Sequence, residues 1–183
     1  MRKTFVISDT HFRHHNILNF TRDDGTPLRL FESSERMDEY MIERWNSVVQ
    51  NGDRVYHLGD LTFSRTALNE IVPKLNGDKV IVKGNHDMFK VKDYLKHFDD
   101  VRAYIIRPKS GLIFSHYPIH PASIKESWLN IHGHTHDRRI LQGDDEDYRY
   151  LNVSVEQPWM MYTPIDMEEL IAVRQRRLME GLL

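Results

Sequence analysis

Five groups of residues able to bind a cation or move a proton recur along the chain: Asp9-x-His11, Gly59-Asp60, Gly84-Asn85-His86-Asp87, Ser115-His116 and Gly133-His134-x-His136. Each closes an apolar, strand-like run. Carboxylates, imidazoles and a carboxamide make a donor set of oxygen and nitrogen, and with no cysteine in the chain thiolate sites and thiol catalysis are excluded. The chemistry such a set serves is hydrolysis of a phosphoester at two metal ions, which together hold the attacking and leaving oxygens. Mixed imidazole and carboxylate ligation suits manganese, iron, zinc, cobalt or nickel better than an all-oxygen magnesium site. Two divalent metal ions are therefore the expected cofactors, with manganese the leading choice and iron, zinc, cobalt, nickel or magnesium the alternatives.

Ligands from separate stretches converge when strands deliver them to one edge, and open α/β sheets gather their sites at the carboxyl ends of their strands. Residues two apart in an extended backbone face the same way, so Asp9 with His11, and His134 with His136, are each expected to reach one ion. Gly59, Gly84 and Gly133 directly precede ligand groups, where glycine permits sharp turns. A single histidine at a strand end is more often structural than ligating. Five coincidences at five strand ends are not credible.

Short β-rich runs are expected at 4–8, 54–58, 79–83, 101–106, 112–116, 129–132 and 150–154. Met37, Met41, Trp45 and Val48 recur at helical spacing, with Ser33 or Ser34 as the cap and Gly52 just past the end. Weaker helical patterns cover 67–75, where Pro73 should trim or kink the helix, and 89–98; a closing helix covers 167–179. The early part reads as β-α-β and the later part as mixed or antiparallel sheet. Residues 12–34 form a long connection, expected to be a rim or lid, and hold Arg13, His14, His15, Asn16, Phe20 and Arg22, a set suited to gripping an anion beside an aromatic ring. His14, three residues past His11, and Arg22 are the candidate substrate contacts.

The 183 residues predict one domain spanning 1–183, with 40% hydrophobic and 28% charged residues, as in ordinary soluble proteins. A net charge of −2 gives no general attraction for nucleic acid or an anionic membrane, so an anionic substrate must be drawn in locally. The opening apolar run is too short for a signal-peptide core or a membrane span, which predicts a cytoplasmic protein without membrane association; no protein partner is expected. Asp144-Asp145-Glu146-Asp147 reads as a solvated hairpin turn, and Arg174, Arg176 and Arg177 as charge complementing the end of the last helix. His57, inside a strand, is expected to be buried and neutral, and His132 to lie just behind the ligands.

All five motifs, in order, resemble the calcineurin-like metallophosphoesterase superfamily, and the compact length resembles its small bacterial and phage phosphodiesterases. The resemblance implies an α/β fold, a sandwich of two mixed β-sheets flanked by helices. It implies that Asp9, His11, Asp60 and His136 hold one metal and that Asp60, Asn85, His116 and His134 hold the other, with Asp60 bridging. It also makes His86 the catalytic acid that protonates the leaving oxygen, with Asp87 the nearest partner in sequence, and makes the nucleophile a metal-bridging hydroxide. The phosphoester substrate is then a nucleotide or nucleic-acid end cleaved by a phosphodiesterase; the alternatives are a phosphomonoesterase and, remotely, a noncatalytic scaffold, against which the presence of His86 argues. The superfamily's phosphoprotein phosphatases show Gly-Asp-x-x-Asp-Arg-Gly, whereas this chain has Phe63 and Ser64 after Asp60, with Arg65 one position late.

Overall fold

The computed structural model describes residues 2–183. In chain order the elements are β1 (Thr4–Ile7), α1 (Ser34–Val48), β2 (Arg54–His57), α2 (Arg65–Glu70), β3 (Asp78–Val82), α3 (Val91–Tyr94), β4 (Asp100–Arg102), β5 (Tyr104–Arg107), β6 (Leu112–Ser115), β7 (Leu129–His132), β8 (Leu141–Gln142), β9 (Asp145–Glu146), β10 (Tyr150–Asn152), β11 (Ile165–Asp166) and α4 (Met167–Met179). One sheet has the order β11-β1-β2-β3-β4 and a second the order β10-β7-β6-β5. Both are mixed: β11 is antiparallel to β1 and β5 to β6, while the other neighbours run parallel. This is the α/β arrangement of two mixed sheets with helices that the motifs imply.

The sheets share one core, in which Ile7, Val55 and Ile81 of the first meet Phe114, Ile131 and Leu151 of the second. A parallel bridge between Ser8 and Ser154 joins them just past the ends of β1 and β10, so both sheets carry their carboxyl ends to a common edge. Against this core α1 lays its stripe of Met37, Met41 and Trp45. The Ser33 hydroxyl accepts the Arg36 amide and starts the helix, and the Trp45 indole donates to the Asn76 carbonyl at 3.0 Å. Gly52, at φ +90°, serves the turn into β2 and not the helix end, which comes at the extended Val49.

Four expectations need correction. The run 101–106 is not one strand, because the chain leaves the first sheet after β4 and enters the second at β5, with only Ala103 between. The helix expected over 89–98 is a single turn, α3, whose preceding residue Lys90 supplies no capping side chain. Over 67–75 the expected trimming occurs: α2 stops at Glu70 and a 3-10 turn, Val72–Lys74, takes in Pro73. In the acidic stretch only Asp144 lies in the turn between β8 and β9; Asp147 is buried and bound by Arg149 at 2.6 Å. Arg177 likewise does more than balance a dipole, since it is buried and donates to the carbonyls of Tyr148 at 2.6 Å and Tyr150 at 2.8 Å, anchoring α4 to the β10 segment.

His57 is fully buried, accepts the Gly59 amide on Nδ1 at 3.2 Å and faces the Thr10 hydroxyl with Nε2 at 3.0 Å, which fixes the neutral Nε2–H form. Burial, with a smaller contribution from His116, lowers its pKa to about 3. A histidine held neutral contributes its stability fully above its unfolded value near 6.5 and loses it as pH falls towards 3, at about 1.4 kcal/mol per pH unit. Urea midpoints measured between pH 7 and 4 are expected to fall more steeply for the wild type than for His57→Gln. Parallel slopes would remove His57 from the acid response.

Candidate metal centre

The ligand candidates stand past the ends of β1, β2, β3, β6 and β7. Asp9, His11, Asp60, His134 and His136 all have φ between 50° and 69°, five of the nine non-glycine residues in the left-handed region among the described residues. Such conformations are costly and cluster where a site demands them. Asp9 and His11, and His134 and His136, therefore converge through tight left-handed turns beyond the strands, and not through the two-residue repeat of an extended strand.

The glycines also act differently from expectation. Gly59, at φ +97°, does use glycine's conformational freedom. Gly84 and Gly133 have no positive φ; a Cβ at Gly84 would collide with Asp60 Oδ1, and one at Gly133 with Ser8 Oγ and Asp9 Oδ2. Their role is to let backbone lie directly against the carboxylates.

Two clusters result, Asp9 with His11 and His136, and Asp60 with His116 and His134, the ligand atoms of each lying within 4.8 Å of one another. Asn85 Oδ1 joins the second, 3.0 Å from His116 Nε2 and 3.1 Å from His134 Nδ1. Asp60 stands between the clusters. Its Oδ2 lies 3.5 Å from His11 Nε2 and its Oδ1 lies 3.5 Å from His116 Nε2.

The residues fit a pair of cations. His11 is buried with no hydrogen-bond partner on either ring nitrogen, and burial, with the nearby Arg29 charge, keeps it well below the usual histidine pKa, so its lone pair is free. Asp60 is raised to about 6, mainly by burial and further by the charge of Asp9, the condition that a bound cation relieves. Neighbouring groups set the orientation of the rings: His116 Nδ1 donates to the Leu58 carbonyl at 2.9 Å, leaving Nε2 as a donor atom for a metal. The Asp9 carboxylate accepts the His134 amide at 3.0 Å and the Ser154 hydroxyl at 2.8 Å.

Sequence reading missed two residues here. Glu156 is buried and accepts from His136 Nδ1 at 2.9 Å and from Arg29 Nε at 2.8 Å, while Arg29 also donates to the carbonyls of Asp9 and Thr10. Burial opposes both charges, yet the Arg29 charge and the His136 bond hold Glu156 down to about 2, and Glu156 raises His136 to about 9. The one available sign was an arginine inside the apolar stretch Leu28-Arg29-Leu30-Phe31. Glu156→Gln is expected to weaken metal binding about 10- to 100-fold in a calorimetric titration, because His136 then faces a neutral amide oxygen in place of the carboxylate that raises its basicity. Unaltered affinity would make the pair a structural tie alone.

His86 places its amide on Asp60 Oδ1 at 2.9 Å and its half-exposed ring 3.9 Å from Asp60 Oδ2. Asp87 is not its partner. That carboxylate accepts the amides of Asp60 at 2.8 Å, Leu61 at 3.1 Å and Gly84 at 2.8 Å, tying the second motif to the third, while burial raises its pKa to about 6. His132 is buried behind the ligands with Nδ1 on the Gly133 carbonyl at 2.8 Å.

Of the long connection, His14 lies at the site, its ring 5.5 Å from that of His11, and burial lowers its pKa to about 4. Arg22 is turned onto Asp137 at 3.2 Å and towards the Leu28 carbonyl at 3.3 Å. Arg13 pairs with Asp38 at 3.2 Å, His15 bonds the Ser34 hydroxyl at 2.6 Å, and Arg65 lies over the Phe89 ring at 4.8 Å and beside Asp93 at 3.4 Å.

The model of the calcineurin-like phosphoesterases matches residues 2–167, and the chain belongs to that family. Metal-dependent hydrolysis of phosphoesters is the family's chemistry, and two divalent ions are its usual complement. An uncharacterized protein of Methanocaldococcus jannaschii, MJ1445, is 29% identical over 185 residues, covering 96% of this chain and 93% of its own. A protein of unknown function from Aquifex aeolicus, AQ665, superposes with a TM-score of 0.69 at 30% identity, over 94% of this chain and 100% of that one. Vacuolar protein sorting 29 from Cryptosporidium parvum overlaps with a TM-score of 0.41 at 16% identity, over 82% of this chain and 72% of that one.

Proposed function

We propose that this chain is a binuclear phosphodiesterase acting on nucleotides or nucleic-acid ends, working in the cytoplasm as one domain over residues 1–183, with manganese as its metal. The observation that carries the reading is Asp60, whose two oxygens each lie 3.5 Å from a histidine of a different ligand cluster. Asp9, His11, Asp60 and His136 would hold one ion, and Asp60, Asn85, His116 and His134 the other. Such ions supply Lewis-acid charge to the phosphoryl oxygens and lower the pKa of water. Around them, Asp87 fixes the backbone of Asp60, Glu156 orients His136, and His86 gives its proton to the leaving oxygen.

A diester is favoured over a monoester by charge. A dianionic monoester calls for additional cations, and Arg13, Arg22 and Arg65 are committed to Asp38, Asp137 and Asp93. No helix among the described residues is long and apolar enough to cross a membrane. The test is turnover of bis(p-nitrophenyl) phosphate against p-nitrophenyl phosphate with manganese. Faster, chelator-sensitive hydrolysis of the diester is expected. Preference for the monoester would make the protein a phosphatase, and no metal-dependent turnover of either would overturn the enzymatic reading.

A further inference from the structure

Phe63 stands where the related phosphatases carry an acidic residue, and the residue is 38% exposed beside the site. Its centroid lies 4.4 Å from that of His86 and 4.6 Å from that of His14, at steep interplanar angles of 72° and 74°. The turn that carries it is tied on both sides. Thr62 donates to the Phe12 carbonyl at 2.7 Å and accepts the Ser64 amide at 2.9 Å, and Ser64 caps α2 by accepting the Ala67 amide at 3.2 Å. An apolar ring held in place yet left open to water beside the proposed acid is not explained by the core. A leaving group whose oxygen takes the His86 proton as its bond to phosphorus breaks would lie beside that ring.

We propose that Phe63 is a specificity-determining residue for the leaving group and that this group is a nucleoside, its base stacked on the Phe63 ring. The proposal rests on the diesterase reading above and narrows its substrate to a phosphate joining two nucleosides, as in a dinucleotide or the end of a single strand. Room for the second nucleoside lies in an open cleft of about 340 Å³ lined by Phe20, Leu28, His134 and His136. Flat aromatic faces accept every base, so selectivity is for a nucleoside and not for a sequence.

The experiment compares kcat/KM, with manganese, for deoxyadenylyl-deoxyadenosine and for the methyl ester of the mononucleotide it yields. Both expel an alkoxide from the same nucleotide, so their ratio isolates the leaving nucleoside. A wild-type ratio of about 5- to 150-fold is expected from one stacked base. Phe63→Leu should bring it near unity and Phe63→Trp should preserve it, with the metal-dependent melting transition reporting that each variant is folded. Ligand-observed NMR of adenosine with the zinc-loaded protein should show binding to the wild type that Phe63→Leu loses. A wild-type ratio near one, or a ratio that Phe63→Leu leaves intact, overturns the proposal. Turnover of bis(p-nitrophenyl) phosphate with neither nucleotide diester cleaved overturns it as well while the diesterase reading stands; inactivity towards every diester removes that reading first.

Discussion

Replacement of Asp60 by asparagine is expected to reduce turnover to background and to lower the bound metal from two ions per chain. Only a carboxylate offers two anionic oxygens to ions roughly 3.5–4 Å apart, and those of Asp60 face His11 and His116 separately. An amide of the same shape must turn its NH2 towards one cluster and carries no charge to either. Asn85→Ala removes a neutral donor from one cluster and should cost less, about 10²- to 10³-fold, the range for losing one of several charge-stabilising groups. The same substitution separates function from folding. Burial raises the Asp60 carboxyl to about 6 in the metal-free protein, so above that pH its charge opposes folding, and metal-free Asp60→Asn should melt no lower than metal-free wild type at pH 8. Metal titration with elemental analysis, together with melting curves, checks both halves. Two bound ions and wild-type turnover in Asp60→Asn would dismantle the binuclear assignment.

Loss of the His86 ring is expected to depend on the leaving group. Protonation of a departing oxygen is needed when that oxygen leaves as a basic alkoxide and is largely dispensable for nitrophenolate. His86→Ala should therefore cost about 10²- to 10⁴-fold on a nucleoside or methyl ester and far less on bis(p-nitrophenyl) phosphate. The geometry allows the ring to be removed cleanly, because the amide of residue 86, and not the imidazole, makes the 2.9 Å bond to Asp60. Metal content should stay near normal. Equal losses on both classes of ester, or loss of an ion, would mean that His86 orients phosphate or binds metal, and the acid would then be sought at His14, whose ring lies 5.5 Å from that of His11.

The five motifs could be read directly because ligand chemistry depends on residue type, and the strands that carry them are short apolar runs that a local pattern reveals. Strands β1, β2, β3, β6 and β7 lie where expected for the same reason, as does α1, whose Met37, Met41 and Trp45 form its buried stripe. The crossing from β4 to β5 was not legible: an apolar run looks alike whether it stays in one sheet or passes between two. Nor were the left-handed turns at Asp9, His11, Asp60, His134 and His136, which no alternation of residue types encodes. Asp87 shows the limit within a single motif, since its neighbour in sequence suggested a partner for His86 while the fold spends it on three amides.

By itself, then, the sequence determined the donor atoms, the strands that present them and the hydrolytic chemistry they suit. Only the tertiary structure decided that Phe63 lies open beside His86 and that Arg29 and Glu156 support His136. Arg29 and Glu156 lie 127 residues apart. A buried ion pair is stable only when both partners are desolvated together and hydrogen-bonded, a condition set by packing across the whole core and by no short stretch of chain.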